Sequence, residues 1–275
     1  MENQPKNEFE SEDDLRASTE LLRLKLEMDY NMKISHTSEL PPEIENKWLS
    51  NIYNFEEQYK NSKPTKVREL LRNPVFPASE ELNDLQISAE LSRVLGLLEE
   101  KHIALDRCCE YEDRVIYKFI IEELFEHETD NFFLEGMTWH FIYEEFHPNH
   151  KHDLTRHATQ LIDTLLTRKW DEEYDAYRLS KTISLRGKEL PQKTISSMIL
   201  AFQAAHNFFE VQEVKIEDIV VDLENKIGQV NAMINYVAYP KEDTPRRFHG
   251  PCVVNFVFDS NDWDISGFEI PGFES

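Results

Sequence analysis

The chain has 275 residues, 40% of them hydrophobic and 11% aromatic, which is enough to bury one large core or two smaller ones. Its 53 acidic residues against 30 basic ones give a net charge of −23, a balance that repels nucleic-acid phosphates and anionic lipid surfaces. Neither nucleic acid nor membrane is therefore expected as a partner; the charge reads as a solubilising surface, or as a field that steers a cationic ligand or basic protein.

Only 7 glycines occur, where average usage would give roughly 19, and no GxGxxG or GxxxxGK[ST] is present. Glycine-rich phosphate loops are thereby excluded. Three cysteines, Cys108, Cys109 and Cys252, form neither an even disulfide framework nor a C-x-x-C motif, and the vicinal pair reads as two small buried hydrophobes. The first residues lack the basic and apolar regions of a secretory signal, and no apolar run reaches about 18 residues, so the cytoplasm is the expected compartment.

Residues 1–13 read as a polar, acidic tail. Helical spacing follows over Asp14–Met32, through Leu15, Leu22 and Leu26. Pro41 and Pro42 open a second helix at its first turn, where a missing N–H costs nothing. Its stripe of Ile44, Trp48, Leu49, Ile52, Tyr53 and Tyr59 reads as core or helix–helix packing. TKVRELLRN predicts one more short helix. Ser79 is the expected cap of a helix running to about Lys101, and Val115–Leu124 defines another.

The most chemically loaded stretch is GMTWHFIYEEFHPNHKHDLTRH, since five of the ten histidines fall between His140 and His157. MTWHFIYEEF predicts a strand, Pro148 ends it, and Asp153 is the expected cap of a strong helix to about residue 170. Imidazoles and carboxylates ligate divalent metals, so His140, Glu144, His147 and His150 are candidate ligands, although no H-E-x-x-H spacing is present. The competing reading is a solvated connection, with no cofactor.

LSKTISLRG then predicts a strand, and LPQKTISSMILAFQAAHNFF a helix that turns His206 inward with Phe202 and Phe209. Such a histidine is either a hydrogen-bonded core residue or the floor of a pocket. VQEVKIEDIVVDL, QVNAMINYVAYP, GPCVVNFVFDSN and WDISGFEIPGF complete a meander. Val230, Ala232, Ile234 and Tyr236 share one face, while Asn231, Met233, Asn235 and Val237 share the other. Neither face is polar enough to be simply wet, so cover is expected on both.

The order strand Ile183–Gly187, helix from Pro191, strands Val230–Tyr239 and Val253–Phe258, and a closing Trp263–Ile265 resembles the nuclear transport factor 2-like (cystatin-like) superfamily over about residues 150–275. The resemblance implies a cone-like domain over 151–275, with helices packed on a curved antiparallel sheet; with the mainly helical region that apolar spacing predicts over 14–150, the chain is expected to be α+β. The resemblance also implies a homodimer through the outer sheet face. His206, Tyr236, Asn235, Asn255 and Trp263 are the residues it offers to a pocket.

Three functions stay open at this point. One is a non-catalytic protein that binds a small apolar ligand or a protein partner, or that assembles. Another is an isomerase or hydratase acting by acid–base chemistry. The third is a metal-binding protein using the His140–His157 segment.

Overall fold

The computed structural model describes residues 11–34, 40–132, 134, 136–171 and 174–273. Most of the expected acidic tail, residues 1–10, lies outside them. The chain divides into two compact units, one ending at Tyr143 and one starting at Glu144.

The first unit begins with α1 (Glu12–Tyr30), capped by the Ser11 hydroxyl, and α2 (Pro42–Asn61). Thr19 contacts Asn46 and Tyr30 contacts Tyr53, so the two helices run in the same direction. Their shared face is unusually polar. Asn46 Nδ2 donates to Thr19 Oγ1 at 3.0 Å, and the buried Arg23 guanidinium pairs with Glu45 and Glu20. Leu15, Leu26 and Leu49 are the buried apolar residues of this pair. The stripe expected to be core is only partly so: Ile44, Trp48 and Tyr59 remain about half exposed, because Asn46 and Leu49 hold the inner face instead.

β1 (Pro64–Lys66) and α3 (Val67–Leu70) follow, where one short helix was expected. Ser79 starts a single 3-10 turn rather than the long helix. The long helix, α4 (Asp84–Glu99), is capped by Asn83 with Gln86 in a reciprocal capping box. β2 (Ile103–Asp106), α5 (Asp113–Glu122), β3 (Glu128–Asp130) and β4 (Trp139–Ile142) complete the unit. β1 pairs with β3 antiparallel, and β2 with β4 in parallel. Cys108 and Cys109 are exposed rather than buried, because they sit on the turn between β2 and α5, off both packed faces.

At the division, YEEF is a helical turn, α6 (Tyr143–Phe146), not the continuation of a strand. α7 (His150–Thr167) is capped by Asn149, whose side chain accepts from His152 N–H, so it starts three residues before the expected Asp153. β5 (Leu179–Leu185), β6 (Lys188–Pro191) and α8 (Gln192–Ala205) follow. Phe208 and Phe209 belong to a strand rather than to the helix, since α8 ends at Ala205 and β7 (His206–Asp222) begins at once. β8 (Ile227–Pro240), β9 (Arg246–Asp259) and β10 (Asp262–Glu269) finish the sheet.

The fold is α+β, with helices in the first half and a six-stranded sheet ordered β6-β5-β10-β9-β8-β7 in the second. The sheet is mixed rather than wholly antiparallel, because β5 meets β10 in parallel. Register shifts along β7 bend the sheet and explain why that strand's alternation reads imperfectly in the sequence. On β8 and β9 the alternation is regular: Val230, Ala232, Ile234, Tyr236, Cys252, Val254 and Phe256 enter one core with α7 and α8.

Candidate functional site

The concave side of the sheet is filled by the protein itself. Trp263, Tyr236, Phe256, Phe268 and Phe273 are all fully buried there. Buried polar groups tie the helices in: Trp170 Nε1 donates to Ser196 Oγ at 2.8 Å, and Gln203 Nε2 donates to the carbonyls of Thr164 and Leu165 at 2.9 and 3.0 Å. The void left beside His157 measures about 10 Å³, at most the space of one water.

His157 is held by three elements. Its Nδ1 lies 3.1 Å from the Trp263 carbonyl and so carries the proton. Its Nε2 faces Arg178 Nη1 at 2.7 Å and Arg156 Nη2 at 3.2 Å and so accepts. Burial, then the Arg178 and Arg156 charges, lower its pKa, with Asp262 opposing them. This is a neutral imidazole that pins α7 to β10.

The five pocket candidates do not converge. Trp263 is core, with its indole N–H 3.2 Å from His150 Nδ1. Tyr236 is core too. It stacks on Phe248 at 5.2 Å, donates its hydroxyl to the Pro271 carbonyl, and has its phenol pKa pushed up by burial. Burial likewise pushes the Cys252 thiol up to about 12. Asn235 and Asn255 lie on the opposite, convex face, where Asn255 Oδ1 accepts from Gln229 Nε2 at 2.8 Å. His206 sits at the α8–β7 junction, where its ring packs between Phe202 and Phe209 at 4.8 and 4.7 Å. Its Nδ1 lies 2.7 Å from the Phe202 carbonyl and so donates to it.

Beside His206 an open pocket of about 320 Å³ is lined by Phe202, Phe248, Pro240, Asp243 and Arg246. Asp243 is paired with Arg246. The Thr244 backbone N–H and that guanidinium hold its carboxyl below the usual range. Asp243 and Arg246 did not stand out in the sequence, since one lies in the β8–β9 connection and the other opens β9, with no motif around them.

The histidine segment does not form a ligand set. His140 stands in β4 with Nδ1 2.8 Å from an Asp106 oxygen on neighbouring β2. His150 opens α7 and packs edge-on against Phe258 and Trp263 at 5.4 and 5.8 Å. Glu144 lies in α6 and His147 just beyond it. Among the described residues, no three His, Cys, Asp or Glu side chains are grouped to hold a metal. Among them too, no helix is long and apolar enough to cross a membrane.

No protein-family model matches the chain, and no curated protein matches it. Its neighbours among solved structures, all at low identity, include a protein described as NTF2-like and one with a cystatin-like fold. A conserved protein from Planctomyces limnophilus shares 12% identity over 43% of this chain and 94% of its own, with a TM-score of 0.34. A protein of the NTF2-like family from Streptomyces avermitilis shares 9% over 43% and 92%, with a TM-score of 0.35. A domain of unknown function with a cystatin-like fold from Nostoc punctiforme shares 16% over 41% and 70%, with a TM-score of 0.32.

Proposed function

We propose that the second unit is a non-catalytic assembly module that pairs with a second copy of itself through the convex face of its sheet. The observation that carries this reading is the division of labour between the sheet's two faces. The concave face, where a ligand would lie, is occupied by Trp263, Tyr236, Phe256, Phe268 and Phe273. The convex face carries Met233, Val237, Val253 and Val257 among the amides Gln229, Asn231, Asn235 and Asn255. Edge strand β7 borders it with Glu210, Glu213 and Lys215, opposite Val237, Asn235 and Met233. An apolar and amide centre with a charged border is the anatomy of a protein interface. Amides both donate and accept, so a copy related by a two-fold axis can satisfy them. Asn235 Oδ1 is shielded from solvent yet has no hydrogen-bond partner among the described residues, which a facing amide would supply.

Val237→Arg combined with Val253→Arg places two charges in that centre. Sedimentation velocity is expected to show wild type as a dimer and the double variant as a monomer with an unchanged circular dichroism spectrum. A variant that stays dimeric would refute the convex-face reading.

A second reading, an acid–base enzyme of the isomerase or hydratase type, draws on the pocket at His206, where an imidazole and the Asp243 carboxylate line one open space. His206→Gln with unaltered substrate turnover would dismiss it, once any turnover is found.

A further inference from the structure

The first unit holds a different kind of cavity. A pocket of about 350 Å³ opens beside β2, bordered by Trp139, Phe132, Ile103, Asp130 and Glu100. Trp139 and Phe132 form two of its walls. Their ring centroids are 5.2 Å apart and the planes meet at 63°, so the rings make a corner rather than a stack. Phe132 is braced by Phe55 at 5.3 Å and Tyr59 at 5.8 Å, both nearly perpendicular to it. The corner is therefore held by packing contacts on more than one side.

The charges at this corner are mostly negative. Asp130 ends β3, is half-buried, and lies 3.1 Å from the Ser62 hydroxyl, which also reaches the Tyr59 carbonyl at 2.7 Å. Glu100 stands exposed at the C-terminal end of α4, and the exposed Lys101 and His102 line the same pocket, so its two carboxylates face one ammonium. Residues 1–143 hold 31 acidic and 16 basic residues, a charge of −15, so this half carries most of the chain's −23.

We infer that this pocket binds a small quaternary or alkylated ammonium ion. Aromatic faces attract a cation through their quadrupole, and two rings set at an angle contact a rounded alkylammonium on two sides. Asp130 and Glu100 supply the countercharge, and the negative field of the unit raises the local concentration of cations. A neutral apolar ligand would take water from both carboxylates and return nothing, and an anion would be repelled.

The test uses choline and its uncharged isostere 3,3-dimethyl-1-butanol on the full chain, followed by the Trp139 indole N–H in nitrogen-15 NMR, assigned with Trp139→Phe. Choline is expected to shift that resonance, with the alcohol binding at least about tenfold more weakly, which corresponds to the energy of a well-formed cation–π site. Asp130→Asn and Glu100→Gln are each expected to weaken choline binding several-fold, more at low salt than at high salt. Glu100 is exposed at the pocket edge, so its replacement leaves the fold intact, as an unchanged melting curve will verify. The inference fails if choline leaves Trp139 unmoved, if the alcohol binds equally well, or if Glu100→Gln and Asp130→Asn both bind as wild type does.

Discussion

The two units bury their aromatic residues differently. In the second, Trp263 is 1% exposed, packs on Phe258 at 4.9 Å and belongs to one cluster that runs from Leu154 to Phe273. In the first, Trp48 is 52% exposed, and Leu21, Leu24 and Met28 leave an apolar stripe of α1 open, while the α1–α2 contact is closed by Arg23, Asn46 and Thr19. The second unit gathers its buried aromatics into one interlocked core while Tyr174, Tyr177 and Phe208 stay outside it; the first buries Tyr117, Phe119 and Phe125 but leaves Trp48 and Tyr59 at the surface and sets Trp139 and Phe132 around a pocket. The lesson is that an apolar stripe at helical spacing does not by itself say which side is packed. In α1 and α2 a hydrogen-bonded polar seam took the inner face.

The largest expected effect breaks this comparison directly. Trp263→Ala should cost about 3–5 kcal/mol in urea denaturation, because the indole leaves a cavity in a close-packed core and His150 loses its N–H partner. Trp48→Ala, the same chemical change at a half-exposed site, should cost under about 1 kcal/mol. Equal costs would erase the distinction between the units.

A smaller effect is expected at the tail that closes the core. Gly272 has φ +82°, and a Cβ there would lie 2.6 Å from Tyr236 Oη and 2.8 Å from Phe248 Cε1. Gly272→Ala should therefore destabilise the second unit by about 1–3 kcal/mol, through backbone strain and the displacement of Tyr236. A melting temperature equal to wild type would show that the tail does not complete the core.

The smallest effect is a pH dependence. The folded-state pKa of His157 is lowered from the ordinary 6.5, so the unfolded chain takes up the proton first. The contribution of neutral His157 is fully present above about pH 6.5 and declines as pH falls below it. His157→Gln should flatten the stability profile of the second unit between pH 7 and pH 5, and an unchanged slope would place the proton elsewhere.

Much of the second unit was legible because strand alternation is a two-residue code. Val230 to Tyr236 and Cys252 to Phe256 announced their faces directly, and β7 blurred only where register shifts interrupt it. The parallel β5–β10 pairing was not legible, since pairing partners far apart in sequence leave no local mark. Helix starts were misplaced where two cap-forming residues competed: Asn83 over Ser79, and Asn149 over Asp153. The candidate site was less legible still. Tyr236 and Trp263 are chemically able side chains, yet burial turned both into core, and only the three-dimensional fold brings Asp243 and Arg246 to His206, or Asp130 to Trp139.

The central claim is that the second unit's concave face is filled and its convex face pairs with a copy. The native mass of the purified chain by light scattering tests it most directly. The account predicts twice 32.6 kDa at micromolar concentration, falling to 32.6 kDa for the Val237→Arg, Val253→Arg variant. A wild-type chain that runs at 32.6 kDa across the whole concentration range would contradict it.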